Sequence, residues 1–309
     1  YYPIPLMDYN KAERWSYGFG IKTDNFSGRN ESLIGGAMFG EDPVYFLRYS
    51  NPWIWGDHIG IDIDLLNINY EHHVYDSLKF EKAMYLGSGF QWDKFHNFSG
   101  GIGYIHRTIE STTNKAMIPN QYKHIATQLS YLYDSRDVKI DPTSGTFSGI
   151  DVSSNWGLNN SPTIHSIELF SQFYFSPTKL DFEPTFSYTL KSLFQFTNGE
   201  LPYYHKKYLG GEDYVRGFSP TPNENGAYEN DIQVDQLIYQ SIQSQFTIFP
   251  RIDRDGIEVG LDGVLFVDHG VGTTLKHPFK WENSIYGYGV GLRLFMSGFG
   301  YIGLDVGFN

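Results

Sequence analysis

Cysteine is absent from the 309 residues. That excludes a disulfide framework and thiolate metal sites, while leaving the compartment open. Positive charge is scarce: 23 Lys and Arg face 35 Asp and Glu, a net charge of -12, which argues against nucleic acid as the main partner. No apolar run approaches the ~18 residues that a membrane helix needs, and helical periodicity is almost nowhere to be found. Residues 1–10, YYPIPLMDYN, have no basic start, no apolar core and no initiator Met. They carry no legible targeting peptide, and the chain reads as mature or trimmed.

Catalytic signatures are missing too. There is no Gly-x-Ser-x-Gly elbow and no His-Glu-x-x-His, and acids and histidines are scattered without a repeated spacing. The stretch EHHVYD, Glu71 to Asp76, puts two histidines beside two acids. A metal needs three or four converging ligands, and adjacent residues on a strand point to opposite faces, so it reads as a polar strand end. Gly-rich pieces at Gly87–Phe90, Gly100–Gly103 and Gly287–Gly291 lack the strand-to-helix context of a nucleotide loop and read as strand interiors. The expectation is no catalytic residue, no metal and no cofactor.

What is abundant is aromatic and small: 24 Tyr, 24 Phe, 6 Trp and 33 Gly, at a mean hydropathy of -0.37. Two classes fit, a soluble β-sandwich or barrel and a membrane β-barrel whose strands alternate lipid-facing and lumenal side chains. Period-2 alternation runs through almost the whole chain. Tyr286, Tyr288, Val290, Leu292 and Leu294 share one parity, with Gly287, Gly289, Gly291 and Arg293 on the other. Ile302, Leu304, Val306 and Phe308 likewise oppose Gly303, Asp305 and Gly307. Ile257, Val259, Leu261, Leu265 and Val267 oppose Glu258, Asp262, Phe266 and Asp268. Glycine weakens a strand and is rare on a solvated face. Glycine mixed with charge therefore favours a packed, wet interior and a membrane barrel.

The pattern predicts fifteen strands: 2–8, 14–24, 31–40, 43–51, 58–70, 80–92, 96–110, 121–134, 145–156, 163–176, 179–197, 236–249, 256–269, 284–295 and 300–308. Most match or exceed the roughly 9–11 residues of a membrane strand. Single-chain bacterial barrels have even counts, so one strand is merged with a neighbour or lies beyond Asn309. Short connections (Asn51–Asp57, Asp141–Gly145, Pro250–Gly256, Ser297–Gly298) contrast with long ones (Ser111–Asn120, Val271–Asn283, Asn198–Asp235). That contrast matches periplasmic turns and external loops. Trp53, Trp55 and Trp92 fall near strand ends, where an interfacial aromatic girdle would place them. No linker splits the chain, which reads as a single domain over 1–309.

The loop at 198–235 is long enough to imply a function. It contains YLGGEDYVRGF, Tyr208 to Phe218. An arginine there is worth fixing only where an acid awaits it in an enclosed, low-dielectric place. Asp268, on the charged parity of a later strand, offers one.

Five segments taken in order resemble the BamA-type outer-membrane assembly family, the bacterial surface antigen barrels. Val215, Arg216, Gly217 and Phe218 match its Val-Arg-Gly-Phe loop signature. Phe266, Asp268 and Gly270 match its Phe-x-Asp-x-Gly strand. YDSRDVKIDPTSGTF (Tyr133 to Phe147) resembles its tyrosine–aspartate–x–arginine–aspartate turn. DNFSGRNESL and RYSNPWIWGD resemble its early strands, and GVGLRL with LDVGF its last ones. YYPIPLMDY is similar to the first barrel strand of Bacteroidota members.

The resemblance implies an all-β fold, a sixteen-stranded transmembrane antiparallel β-barrel integral to the bacterial outer membrane. Loop 198–235 would fold into its lumen, and Arg216 would be latched to Asp268. Many members carry a second acid one strand earlier, and the matching position here is Gln245. Members also carry POTRA domains before the barrel and a strand after the LDVGF-like segment, neither of which is seen in this sequence. The implied function is insertion and folding of β-barrel proteins through a seam between the first and last strands. The implied partners are outer-membrane lipids, nascent β-barrel clients and accessory assembly lipoproteins. The alternatives are a membrane anchor or export barrel fused to a patatin-like lipase or phosphoesterase, and a two-partner secretion pore.

Overall fold

A computed structural model describes residues 2–10, 14–25, 27–40, 43–56, 58–72, 77–111, 121–177, 184–198, 200–202, 205–211, 213–218, 233–254, 256–297 and 300–309. Of the EHHVYD stretch, residues 73–76 lie outside that set, as do 112–120, the start of the strand expected at 179–197, and residues 199, 203–204, 212 and 219–232 of loop 198–235.

The strands are β1 (Tyr2–Asn10), β2 (Arg14–Asp24), β3 (Ser32–Gly40), β4 (Val44–Trp55), β5 (Ile59–His72), β6 (Ser77–Gln91), β7 (His96–Ser111), β8 (Gln121–Asp134) and β9 (Gly145–Leu158). They continue with β10 (Ile164–Phe175), β11 (Thr185–Thr197), β12 (Lys207–Tyr208), β13 (Gln233–Val234), β14 (Gln236–Arg254), β15 (Ile257–Thr273), β16 (Ile285–Met296) and β17 (Gly300–Phe308). Fifteen of these form one sheet whose hydrogen-bonded order follows the chain from β1 to β11 and then β14 to β17, while β12 and β13 pair separately. The fifteen correspond one to one with the strands read from alternation.

Several strand ends differ from that reading by a few residues, and two expected turns are replaced by strand. The turns expected at Asn51–Asp57 and Pro250–Gly256 are largely strand. β4 runs to Trp55 across an irregularity between Asn51 and Trp55, and β14 runs to Arg254 across register shifts at Thr247–Phe249 and Phe249–Ile252. A bulge lets a strand absorb extra residues, and a proline with them, without ending the pairing.

By contact density the chain forms two compact units, Tyr1–Tyr131 with Asp151–Ile167 and Gln195–Tyr204, and Leu132–Ile150 with Glu168–Phe194 and His205–Asn309. In the first unit β1 pairs with β2 along its whole length, Pro3 opposite Ile21 and Pro5 opposite Phe19. Trp15, Tyr17, Phe19 and Ile21 of β2 are exposed, whereas Ser16 is buried. Between β6 and β7, Arg107 donates to Glu81 at 2.6 Å and Lys79 lies 3.1 Å from the same carboxylate. All three charges occupy the packed face, beside Ala83, Ile105 and Ala126.

The second unit shows the same inversion. Leu265, Val267, Tyr286, Tyr288, Val290 and Leu292 are exposed, while Asp262, Val264, Phe266 and Asp268 are buried. Apolar outside with polar and ionic inside is the reverse of a soluble domain and is the pattern of strands that face lipid. Among the described residues no helix is long and apolar enough to cross a membrane, which says nothing of crossing by strands.

Candidate functional site

The site lies in the second unit, where loop 198–235 returns onto the buried face of β14–β17. The base of the described loop is the β12–β13 ladder, Lys207 opposite Val234 and Tyr208 opposite Gln233. Beyond it the chain folds on itself: Val215 N–H donates to Leu209 C=O at 3.0 Å and Gly211 N–H to Val215 C=O at 3.2 Å. Leu209 and Val215 are fully buried and pack with Leu193, Val234, Leu237 and Tyr239, with Tyr214, Phe218 and Ile285 at the margin. An apolar side chain buried in this way contributes about 1.5–3 kcal/mol, so the loop is held by a small core of its own before any charge is counted.

Arg216 follows directly on that core. Its Nε donates to Asp268 Oδ2 at 2.8 Å, its Nη2 to Asp268 Oδ1 at 2.9 Å and its backbone N–H to Oδ2 at 3.1 Å. Asp268 has no exposed surface. Its Oδ1 also accepts from Ser241 Oγ at 2.7 Å and Tyr239 OH at 3.3 Å. The bidentate fork is the strong geometry for guanidinium and carboxylate. Below the plane of the fork the guanidinium carbon sits 3.4 Å from the centre of the Phe266 ring, a cation–π contact. Burial disfavours the Arg216 charge, but the hydrogen bond and field of Asp268, with Asp305 behind them, raise its pKa above the usual arginine value.

The remaining donor, Nη1, reaches Asp305 Oδ2 of β17 at 2.9 Å and Gln243 Oε1 at 3.4 Å. Asp305 is shared with Arg293 of β16, which donates Nη1 to Oδ1 at 2.6 Å and Nη2 to Oδ2 at 2.9 Å. Glycines clear the space. A Cβ on Gly307 would stand 2.5 Å from Gly217 N, and one on Gly287 would collide with the Arg216 carbonyl. Gly217, at φ 99°, has the left-handed backbone that glycine tolerates best, and it rests against the Phe308 backbone. Gly270 serves the apolar side, where a Cβ would meet Val215 Cγ2 at 2.7 Å.

Gln245 is not a partner of Arg216, which corrects the expectation. In the β14–β15 register Ser241 faces Asp268, whereas Gln245 faces Val264. Four residues along a strand is ~13 Å. Gln245 Nε2 instead donates to Asp262 Oδ2 at 3.0 Å and Asp141 Oδ1 at 3.2 Å. This second network also includes Tyr301 OH on Asp262 at 2.9 Å and an Arg251–Asp141 ion pair. Desolvation raises the pKa of Asp141, and the Tyr301 hydrogen bond and the Arg251 charge offset it only in part. The acid that sequence reasoning missed beside Arg216 is Asp305. Its parity marked it as packed, but only the β15–β16–β17 register shows that it lies within the arginine's reach. Among the described residues no group of three or more His, Asp or Glu is arranged to hold a metal.

Residues 25–309 match the Omp85 superfamily domain. A search of curated protein sequences finds no match. Among solved structures, the chain is similar to BamA from Haemophilus ducreyi lacking POTRA domains 1–3, with a TM-score of 0.75 and 16% identity over 97% of this chain and 65% of that one. It is also similar to CdiB from Acinetobacter baumannii (TM-score 0.58, 16% identity, 94% of this chain and 53% of that one). CdiB from Escherichia coli gives a TM-score of 0.62 at 12% identity, over 94% of this chain and 55% of that one. The chain therefore spans less than two thirds of the length of each of these proteins, and the likeness is one of fold.

Proposed function

Because the chain belongs to the Omp85 superfamily, and is thus an integral outer-membrane β-barrel protein, we propose that it is an assembly factor that inserts and folds β-barrel proteins through a seam between its first and last strands. The observation that supports this reading is the composition of β1. The sheet order begins at that strand, and Pro3 and Pro5 lie within it. Proline has no N–H to donate and is tolerated in a sheet where its nitrogen faces an unpaired edge. A seam short of donors is easily opened, and an open strand edge is a template for another chain. A nascent client strand would pair there by β-augmentation, with its lipid-facing side chains passing directly into the bilayer. Loop 198–235 is the element that fills the lumen in this reading, and Arg216, Val215, Gly217 and Phe218 with Asp268, Phe266 and Gly270 form its latch. Nascent barrel proteins and accessory lipoproteins are the expected partners.

The test is reconstitution of the full-length protein into vesicles with an unfolded outer-membrane β-barrel as client, following folding by gel mobility. Faster client folding than in empty vesicles supports the reading. Unchanged folding, together with passage of a secreted polypeptide into the vesicle lumen, would replace it with an export pore.

A further inference from the structure

Arg216 does more than close one ion pair, because its fork spans two strands that do not touch each other. Asp268 belongs to β15 and Asp305 to β17, with β16 between them. Across that gap the register runs Phe266–Gly289–Gly307. Two of those three positions carry no side chain, so the guanidinium can lie over β16 and reach both acids.

The two ends of this clamp are chemically unequal. Among the described residues the charged donor to Asp268 is Arg216, the other side-chain donors being the hydroxyls of Ser241 and Tyr239. Asp305 is already held by both Nη atoms of Arg293. Losing Arg216 therefore strands a buried carboxylate on β15 but leaves Asp305 with a full partner on β16. The β15 end is the costly one to open. The β17 end can let go and be restored without leaving a bare charge.

The backbone repeats the connection. Gly217 packs on the Phe308 backbone, and Gly307 leaves room for Gly217 N. β17 in turn has a nine-residue ladder with β16, and the loop gives it a further support from the buried face.

We propose that Asp305 is a positioning residue through which the docked loop stiffens β17, so that the looseness of the strand nearest the C-terminal side of the seam is set by whether Arg216 is in place. This rests on the seam reading above and adds a control to it: release of the loop tip loosens the region where a client strand would enter, while β14 and β15 keep their order.

The experiment is hydrogen–deuterium exchange on the full-length protein in lipid nanodiscs, comparing the parent with Asp305→Asn, Asp305→Glu and Arg216→Lys. Asp305→Asn keeps shape and removes charge. It should speed amide exchange in 300–308 by about tenfold or more, leave 257–273 unchanged and keep the loop resistant to external protease. Asp305→Glu should restore slow exchange in 300–308. Arg216→Lys keeps the charge but loses the fork and should speed exchange in the same segment, which gives a second route should Asp305→Asn fold poorly. Exchange in 300–308 within twofold of the parent in Arg216→Lys would overturn the proposal whatever Asp305→Asn does, because Asp305→Asn also removes the Arg293 pair. Because the readout involves no client, it stands or falls separately from the assembly reading.

Discussion

Replacing Asp268 with alanine is the sharpest test of what holds the loop. The parent pair is deeply placed: the Arg216 side chain is 13% exposed and that of Asp268 is 0%. Removing one member of a buried pair costs about 3–5 kcal/mol, because the other charge is left without compensation. Here Asp305 and the Phe266 ring remain with the arginine, which puts the cost near the lower end, about 3 kcal/mol. At ~1.4 kcal/mol per tenfold, the docked-to-released ratio should fall by about a hundredfold or a little more. The chain has no cysteine, so a single Val215→Cys reporter can be labelled without background. Val215 has no exposed surface while the loop is docked, and labelling of the reporter thiol by a membrane-impermeant maleimide signals release. In the Val215→Cys background, Asp268→Ala should label about a hundred times faster than its parent. A rate within twofold would refute the argument that the ion pair adds substantially to the apolar cluster around Leu209 in holding the loop.

Three further outcomes are expected. Gly307→Ala leaves every charge in place but sets a Cβ 2.5 Å from Gly217 N; overpacking of about 1–3 kcal/mol should speed labelling of the Val215→Cys reporter, and no change would show that the tip can shift without leaving. Gln245→Glu should not strengthen the latch, because its Nε2 serves Asp262 and Asp141; a third carboxylate there should lower the unfolding temperature seen by gel heat-modifiability while labelling of the same reporter stays constant. Partial burial pushes the Asp137 pKa up, but the Thr143 hydroxyl at 2.6 Å and the backbone N–H groups of Ser144, Val138 and Thr143 outweigh it and hold the carboxyl below its usual range. Its folded pKa is depressed, so its contribution is present above the unfolded value of ~3.9 and is lost as pH falls through the lower folded one. Asp137→Asn should therefore flatten the acid side of the stability profile, and an unchanged acid limb would exclude this turn as its source.

The strands are legible in the sequence because every one of them has to present opposite chemistries to its two sides, and a period of two leaves a trace in side-chain order alone. The inverted sense is legible as well: glycine and acid on the parity of Asp268 and Asp305, tyrosine and leucine on the other. Bulges are not, since the extra residues near Pro52 and Pro250 break no composition rule and show only as shifts in pairing. β12 and β13 are invisible, because two residues cannot display a period. The Arg216–Asp268 juxtaposition is named through a family resemblance. Physical reasoning from the chain alone reaches the need for an enclosed acid and offers Asp268, on the charged parity of its strand, as one that could meet it. Gln245 is misplaced, and Asp305 overlooked, for one reason. Alternation tells which face a residue takes but not its height on that face, and height is set by register between strands that are distant in sequence.

The two prolines of β1 also give its outer edge a direction. Residues of odd number share one side of that strand, and an unbroken ladder with β2 from Tyr2 to Asn10 is the arrangement in which this side looks away from β2. Along it the backbone carbonyls are continuous, but donors start only at Met7 and continue at Tyr9. An arriving strand finds complete two-way bonding at the Met7 end and one-way bonding at the Tyr2 end. Growth of the added ladder is therefore favoured to start beside the β1–β2 turn and run toward Tyr2, and detachment to start from the Tyr2 end. If the chain acts in assembly as proposed, this edge would work as a ratchet tooth filed on one side, setting the order in which a guest strand is gripped and let go.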